Sequence, residues 1–273
     1  MKNKELSIII TAYKKAELLE LCINSIKKTT NLNQIDYEII VVDSQTEEST
    51  IDLMNDKFPE IIFFKNKNNQ GIGKLVNQGI AKSNGEYLFI INHDIIIKGS
   101  AIQELLKFIK EDKTVGLVSP KLINFDGRTQ PSAFRFYSWK TIIYRRTFLG
   151  KFSFAKKYLD KFLLKNEIAS GQIIDVDWVM GSAMMVSREA VDIVGGIDES
   201  FFMYFEDVDW CRRFWEEGYR VVYNPTITVA HYHGKASDNK SAMQAVLLNK
   251  YTRIHIKSAL VYFWKYRWKK RPH

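Results

Sequence analysis

Three carboxylates, Glu206, Asp207 and Asp209, crowd the start of a helical pattern in "FFMYFEDVDWCRRFWEEGYR", Phe201 to Arg220. Four aromatics in a five-residue run stand directly before them. A surface acid needs no such mounting. A general base does, because it must be held within hydrogen-bond reach of the proton it takes. Asp207 is the candidate base, with Glu206 beside it. Its place at a helix start lets the macrodipole favour the ionised form. Phe201, Phe202 and Phe205 are expected to anchor the segment against the core. The plain alternative is a helix N-cap with charged neighbours, which spacing alone would favour.

Other residues suit the binding of an anion or a cation. "INHDI" (Ile91–Ile95) sets Asp94 just past an apolar run. Mg2+ or Mn2+ takes few protein oxygens and bridges to substrate phosphates, so one aspartate can serve. A turn or N-cap aspartate would read the same. "AHYHG" (Ala230–Gly234) offers two histidines, one of which could add a nitrogen ligand or pin a closing loop. "NNQGIGKLVNQG" (Asn68–Gly79) resembles a phosphate-cradling loop but has Val76 where a dinucleotide fingerprint needs its third glycine. Its glycines still allow close backbone approach, and the helix starting there would offer free N–H groups to an anion.

These residues need elements to hold them. "LSIIIT", "YEIIVVD", "IIFFKN" and "EYLFIIN" are short apolar runs, separated by helical patterns at Ala16–Lys28, from Thr46, and at Ile72–Ala81. Continuous apolar strands alternating with helices imply an α/β fold with a parallel sheet covered on both faces. Ligands of such sheets sit at the carboxyl ends of strands. A helix at Ser100–Glu111 and a strand at Val115–Val118 follow; then Lys121–Asp175 loosens into expected loops and short helices. Order returns with "VDWVMGSAMMVS", a helix at Arg188–Val194 and a strand pair around Val221 and Ile227. The expected organisation is one domain over 1–238, with a first half to about residue 97 and an elaborated second half beyond it. A basic aromatic helical tail covers 239–273.

The 273 residues carry 40 Lys and Arg against 31 Asp and Glu, a net charge of +9. Nine bases and no acid fall within 239–273, so the excess belongs to the tail. There "LVYFWKYRW" interleaves Tyr262, Phe263, Trp264, Tyr266 and Trp268 with cations, a pattern suited to an anionic membrane surface. A solvated terminal helix is the alternative. The rest of the chain is too evenly charged to track a phosphate backbone, which argues against nucleic acid. Two distant cysteines, no visible signal segment and no apolar run near 20 residues point to a cytoplasmic protein, peripheral on the inner membrane face through the tail.

In order, "SIIITAYKKAELLELCINSI", "EIIVVDSQTEEST", "NNQGIGKLVNQGI", "GEYLFIINHD", "VDWVMGSAMMVSREAVDIVGGIDESFFMYFEDVDWCRR", "GYRVVYNP" and "HYHGKAS" resemble the family 2 glycosyltransferases of GT-A fold, in their rhamnosyltransferase-like branch. The resemblance implies inverting transfer of a sugar from a nucleoside-diphosphate donor, such as dTDP-rhamnose or a UDP- or GDP-sugar, to a glycan or lipid-linked acceptor of cell-surface polysaccharide synthesis. It implies a Mn2+ or Mg2+ cofactor. By position, Thr11, Tyr13 and Asp43 would hold base and ribose, with Asn69, Gly71 and Asn92 beside the nucleotide. Asp94 and His231 would bind the metal, and Asp207 would be the base. Trp178, Gly181, Tyr204 and Trp210 would line the sugar and acceptor pocket. One departure is Asn92-His93-Asp94, where many relatives carry Asp-x-Asp, leaving one carboxylate for the ion. Two rivals remain: a non-catalytic sugar- or lipid-binding module of the same fold, and a sugar nucleotidyltransferase. The latter needs a glycine- and arginine-rich loop where this chain reads "TAYKKAE".

Overall fold

The computed structural model describes residues 4–29, 32–232 and 250–272. Strands β1 (Lys4–Ala12), β2 (Tyr37–Ser44), β3 (Ile62–Asn66) and β4 (Gly85–Asn92) lie parallel in the order β3-β2-β1-β4. Helices α1 (Ala16–Lys27), α2 (Glu48–Lys57) and α3 (Ile72–Lys82) make the crossovers. The β-branched run Ile8-Ile9-Ile10 is fully buried because α1 and α3 cover opposite faces of β1. This is the expected α/β sheet, and Thr11, Asp43, Asn66 and Asn92 fall at its carboxyl edge.

The chain continues through β5 (Ile95–Ile96), α4 (Ala101–Glu111), β6 (Val115–Ile123), β7 (Ala133–Phe134), α5 (Trp139–Arg146), α6 (Ser153–Phe162), α7 (Lys165–Ala169), β8 (Ile174–Asp175), β9 (Trp178–Val179), β10 (Ala183–Ser187), α8 (Arg188–Val194), α9 (Glu206–Glu216) and β11 (Arg220–His231). The sheet extends as β4-β10-β6-β11-β5, with β10 antiparallel to both neighbours. The strand pair expected near residues 221–227 is instead one strand, β11, whose register slips between Asn224 and Thr228 around Pro225.

The strand order forces a curl. Asn92 ends β4 and Ile95 begins β5, a reach of at most about 10 Å. Yet β5 lies four places along the sheet from β4, about 19 Å if the sheet were flat. The sheet therefore bends back on itself, and β11 ends beside the residues leaving β4. His231 pairs with Ile95, and the Tyr232 N–H donates to the Asp94 carbonyl at 2.9 Å. Topology thus joins two site candidates more than a hundred residues apart in sequence.

The tail is not a free appendage. Its helix α10 (Lys250–Lys265) lies against the start of α9. Tyr262 and Tyr266 are buried, contrary to the expectation that they face a membrane. Burial of an acid explains the packing. Asp209 is fully buried and accepts from Arg213 Nε at 2.9 Å and the Tyr266 hydroxyl at 2.8 Å, with Lys265 Nζ at 2.7 Å. Burial pushes the Tyr266 hydroxyl far up, so it stays a donor. The Arg212 guanidinium covers the Tyr266 ring at 3.7 Å, and Lys269 pairs with Glu216. Tyr266→Phe removes one hydrogen bond to a buried charge, about 1.5–3 kcal/mol. Its melting temperature is expected to fall by several degrees. A melting temperature within a degree of the parent's would mean that the helix rests on the domain without stabilising it.

Candidate active site

The turn before α9 holds two consecutive left-handed residues that are not glycine, Tyr204 and Phe205, both at φ 68°. Such backbone costs of order 1–3 kcal/mol per residue and persists only when its surroundings hold it. Here three contacts do so. Phe202 offers its carbonyl to the Ile72 N–H at 3.2 Å, and Met203 offers its carbonyl to the Ser258 hydroxyl at 2.8 Å. Phe205 is buried against Tyr137, Tyr262 and His255. Phe201 is buried as expected, whereas Phe202 keeps part of its surface open.

Phe205, not an acid, occupies the N-cap of α9. Asp207 lies in the first turn and accepts from the Gly181 N–H at Oδ2 (3.1 Å) and the Val208 N–H at Oδ1 (2.9 Å). Burial, not the helix dipole, dominates its titration and pushes its carboxyl up to about 6; the backbone N–H groups oppose the rise. Glu206 is pushed well above the usual range by burial and then by the charge on Asp207. Its Oε2 is buried and accepts no hydrogen bond. The pair is therefore split: Glu206 carries the proton and Asp207 is ionised at neutral pH, a division of roles typical of paired catalytic acids.

Gly181 and Ser182 connect Asp207 to the carboxyl end of β4. Gly181 donates to Asp207, while the Ser182 carbonyl accepts the Asn92 N–H at 3.1 Å and its hydroxyl faces Asn92 Nδ2 at 3.4 Å. Asn92 Oδ1 accepts from the Thr11 hydroxyl at 3.1 Å. Both ends of the Asn92 amide and the Thr11 hydroxyl are thus engaged within the protein. Asp94 lies 3.4 Å from His231 Nε2, and its Oδ1 is buried with no hydrogen-bond donor. His231 Nδ1 meets Gln130 Oε1 at 2.8 Å, and Gln130 Nε2 donates to the His231 carbonyl. Because Gln130 Oε1 can only accept, Nδ1 carries the proton and Nε2 is the nitrogen turned to Asp94. An orphaned carboxylate oxygen beside that nitrogen fits a divalent cation. Among the described residues no third His, Cys, Asp or Glu joins them. His93 is held neutral by burial, and His233 lies outside the described residues.

On the opposite side Asp43 is fully buried, its two oxygens without a hydrogen-bond partner at normal distance, and burial raises its pKa. A buried carboxyl at a strand end with no partner is a group that donors of a ligand could satisfy. Tyr13 stays exposed with its hydroxyl 3.4 Å from Gln45 Oε1. Asn69 accepts from the Gly71 N–H and the Ser44 hydroxyl.

Three expectations are corrected. Trp210 does not face a sugar ring; it is fully buried, with Nε1 donating to the Gly195 carbonyl at 2.9 Å. Trp178 is also buried, stacked on Phe134 and Tyr137, so it forms the wall behind the site. Gly71 faces protein on its Cβ side: a Cβ there would meet the Phe202 carbonyl oxygen at 2.4 Å. The first N–H of α3, at Ile72, is likewise spent on Phe202 instead of an anion. Tyr204 remains exposed at the rim, 5.0 Å from the His255 ring. Gln130, Ser182 and Ser258 have no local sequence signal, because each acts through a partner brought by topology.

With this geometry in place, the comparisons decide the family. Residues 7–179 match Glycosyl transferase family 2, and residues 144–244 match Glycosyl transferase family group 2. The chain belongs to glycosyltransferase family 2. It is 24% identical over 274 residues to an N-acetylglucosaminyl-diphospho-decaprenol L-rhamnosyltransferase of Mycobacterium tuberculosis, covering 95% of this chain and 86% of that one. It is 29% identical over 205 residues to Rhamnosyltransferase WbbL of Escherichia coli, covering 73% and 69%. Among solved structures, a mannosyltransferase from Pyrobaculum calidifontis in complex with GDP-Man and Mn2+ superposes with TM-score 0.60 at 16% identity, covering all of this chain and 78% of that one. These neighbours establish the GT-A fold, and the rhamnosyltransferase-like character expected from the motifs holds.

If Asp207 is the general base, it must be ionised to act, and its titration sets a pH dependence. Asp207 loses its charge as pH falls through about 6, so kcat/KM should drop below that pH. An acid limb near 4 would contradict the burial account. Asp207→Asn should lower turnover by about 10²–10⁴-fold with the far-UV spectrum unchanged, and Glu206→Gln should be milder. Retention of more than roughly a tenth of the parent rate by Asp207→Asn would remove it as the base.

Proposed function

We propose that this glycosyltransferase moves a sugar, with inversion, from a nucleoside-diphosphate donor to the hydroxyl of a lipid-linked glycan. The observation that carries the reading is the Gly181–Ser182 dipeptide. It joins the base at Asp207 to the Asn92–Asp94 strand end, so one site holds both a proton acceptor and a diphosphate-side carboxylate. The acceptor hydroxyl loses its proton to Asp207 and attacks the anomeric carbon from the face opposite the departing diphosphate. Glu206, kept neutral, adds no second negative charge beside the attacking oxygen. Asp43 and the exposed Tyr13 hold the nucleoside, and Asn69 lines its approach. Tyr204 borders the acceptor side. Holding donor and acceptor in line supplies much of the remaining rate.

Asp94 and the adjacent Nε2 of His231 would hold a divalent ion, Mn2+ or Mg2+, which supplies charge stabilisation to a leaving diphosphate. Two protein ligands are few, so oxygens of the donor would complete the shell. The mycobacterial relative is named for L-rhamnose transfer to a diphosphodecaprenol-linked sugar. Both names support a nucleotide-activated rhamnose as the first donor to test, and the mycobacterial one supports a polyprenyl-diphosphate-linked sugar as the acceptor.

A panel of dTDP-, UDP- and GDP-sugars, each with Mn2+, should give one donor class that raises the melting temperature, since a ligand that binds only the folded state stabilises it. The same donor should be consumed with a lipid-linked acceptor, giving a product of inverted anomeric configuration. Asp94→Ala should remove the metal-stimulated part of turnover, and His231→Ala should remove a fraction of it. Full metal stimulation in Asp94→Ala would sink the metal assignment. Retention of configuration would sink the single-base mechanism.

A further inference from the structure

Two basic stretches, far apart in sequence, share one side of the molecule. Residues 127–159 contain eight Lys and Arg and no acid, and the described tail, 250–272, also contains eight and no acid. They meet where Trp139, at the start of α5, stacks on Phe263 of α10 with ring centroids 4.0 Å apart. Arg271 Nη2 adds a contact to the Tyr137 carbonyl at 3.4 Å. An open groove between them is lined by Trp139, Leu260, Trp264, Arg267 and Arg271.

What faces outward there is unusual for a protein surface. Phe148, Phe152 and Phe154, between and within α5 and α6, are exposed, Phe148 to 71%. They pack on one another, with centroids 6.4 Å and 5.7 Å apart, and not on the core. Lys140, Lys151, Lys156 and Lys157 surround them, all exposed. The tail continues the pattern. While Ser258, Ala259, Tyr262 and Tyr266 turn inward, Lys257, Leu260, Trp264 and Arg267 form the opposite stripe, and Trp268 is 87% exposed. Lys265 and Lys269 are neutralised by Asp198, Asp209 and Glu216 and do not belong to this face.

We propose that this combined face, α5–α6 together with the outer stripe of α10, docks on an anionic lipid bilayer. Large exposed aromatics set among lysines match the water–lipid interface, where rings enter the headgroup region and cations meet anionic lipid. Protein interfaces are depleted in lysine. Single-stranded nucleic acid calls for rings offered singly along a groove, not clustered. No helix among the described residues is long and apolar enough to cross a membrane, so the contact is peripheral. The face adjoins the site rim, because Tyr137 touches both Trp178 and Phe205, and Ser258 holds Met203. The proposal stands on charge and exposure and does not depend on the acceptor assigned above.

The full chain is co-sedimented with phosphatidylglycerol–phosphatidylcholine vesicles and with pure phosphatidylcholine vesicles over a salt series. Binding is expected only to the anionic vesicles and should weaken steeply with salt. The triple variant Lys151→Gln/Lys156→Gln/Lys157→Gln should bind on the order of a hundredfold more weakly, at about fivefold per lysine. Phe148→Ser/Phe152→Ser/Phe154→Ser should lose binding that persists at high salt. Both variants should keep the parent far-UV spectrum and donor-induced thermal shift, which separates loss of docking from loss of fold or of the transfer site. Parent-level binding by both variants, equal binding to neutral vesicles, or displacement by an equimolar nucleic-acid oligomer would each overturn the proposal.

Discussion

Everything chemical in this molecule depends on the backbone between Phe202 and Phe205. Two left-handed residues in succession are unfavourable there, yet they turn Glu206 and Asp207 into the site at the head of α9. The cost is offset from three directions: Ile72 of the donor half, Ser258 of the tail helix, and the aromatic cluster around Phe205. The buried Asp209 adds a fourth restraint two residues beyond the base. Its partners Arg213, Lys265 and Tyr266 draw α9 and α10 together. The aromatic run and the third carboxylate therefore have separate explanations. The rings and Asp209 build the mount, and Glu206 and Asp207 use it.

Burial is the first cause acting on two adjacent carboxyl groups. Both are driven toward the protonated form, but Asp207 alone receives the Gly181 N–H from across the site. The Gly181 amide, positioned by the short segment between β9 and β10, acts with the Val208 N–H to favour the charge on Asp207. The same segment anchors Asn92. Proton chemistry and donor-side geometry are thus tied to one dipeptide.

The first half of the chain was legible in sequence because each of its strands is an unbroken apolar run, so β1 to β4 and α1 to α4 stand within a few residues of their expected bounds. Asp43, Asp94 and Asp207 stood out as candidates because an acid directly after an apolar element has no packing role that the local pattern explains. What could not be read was whatever depends on the sheet's curl. Gln130 lies in the aperiodic middle stretch and meets His231 only because β11 returns beside β5. Trp210 was misread because helical spacing cannot say which side of α9 is buried. The tail was half legible: its charge and aromatics were visible, but the inward turn of Tyr262 and Tyr266 follows from Asp209, whose burial no local pattern reveals.

The joint between Gly71 and Phe202 also constrains how the chain can diverge. A Cβ at position 71 would collide with a main-chain oxygen, not with a side chain. Every amino acid at position 202 carries that same oxygen, so no replacement there can compensate for a larger residue at 71. The two positions cannot drift as a pair, and the glycine is locked whatever happens to its neighbour.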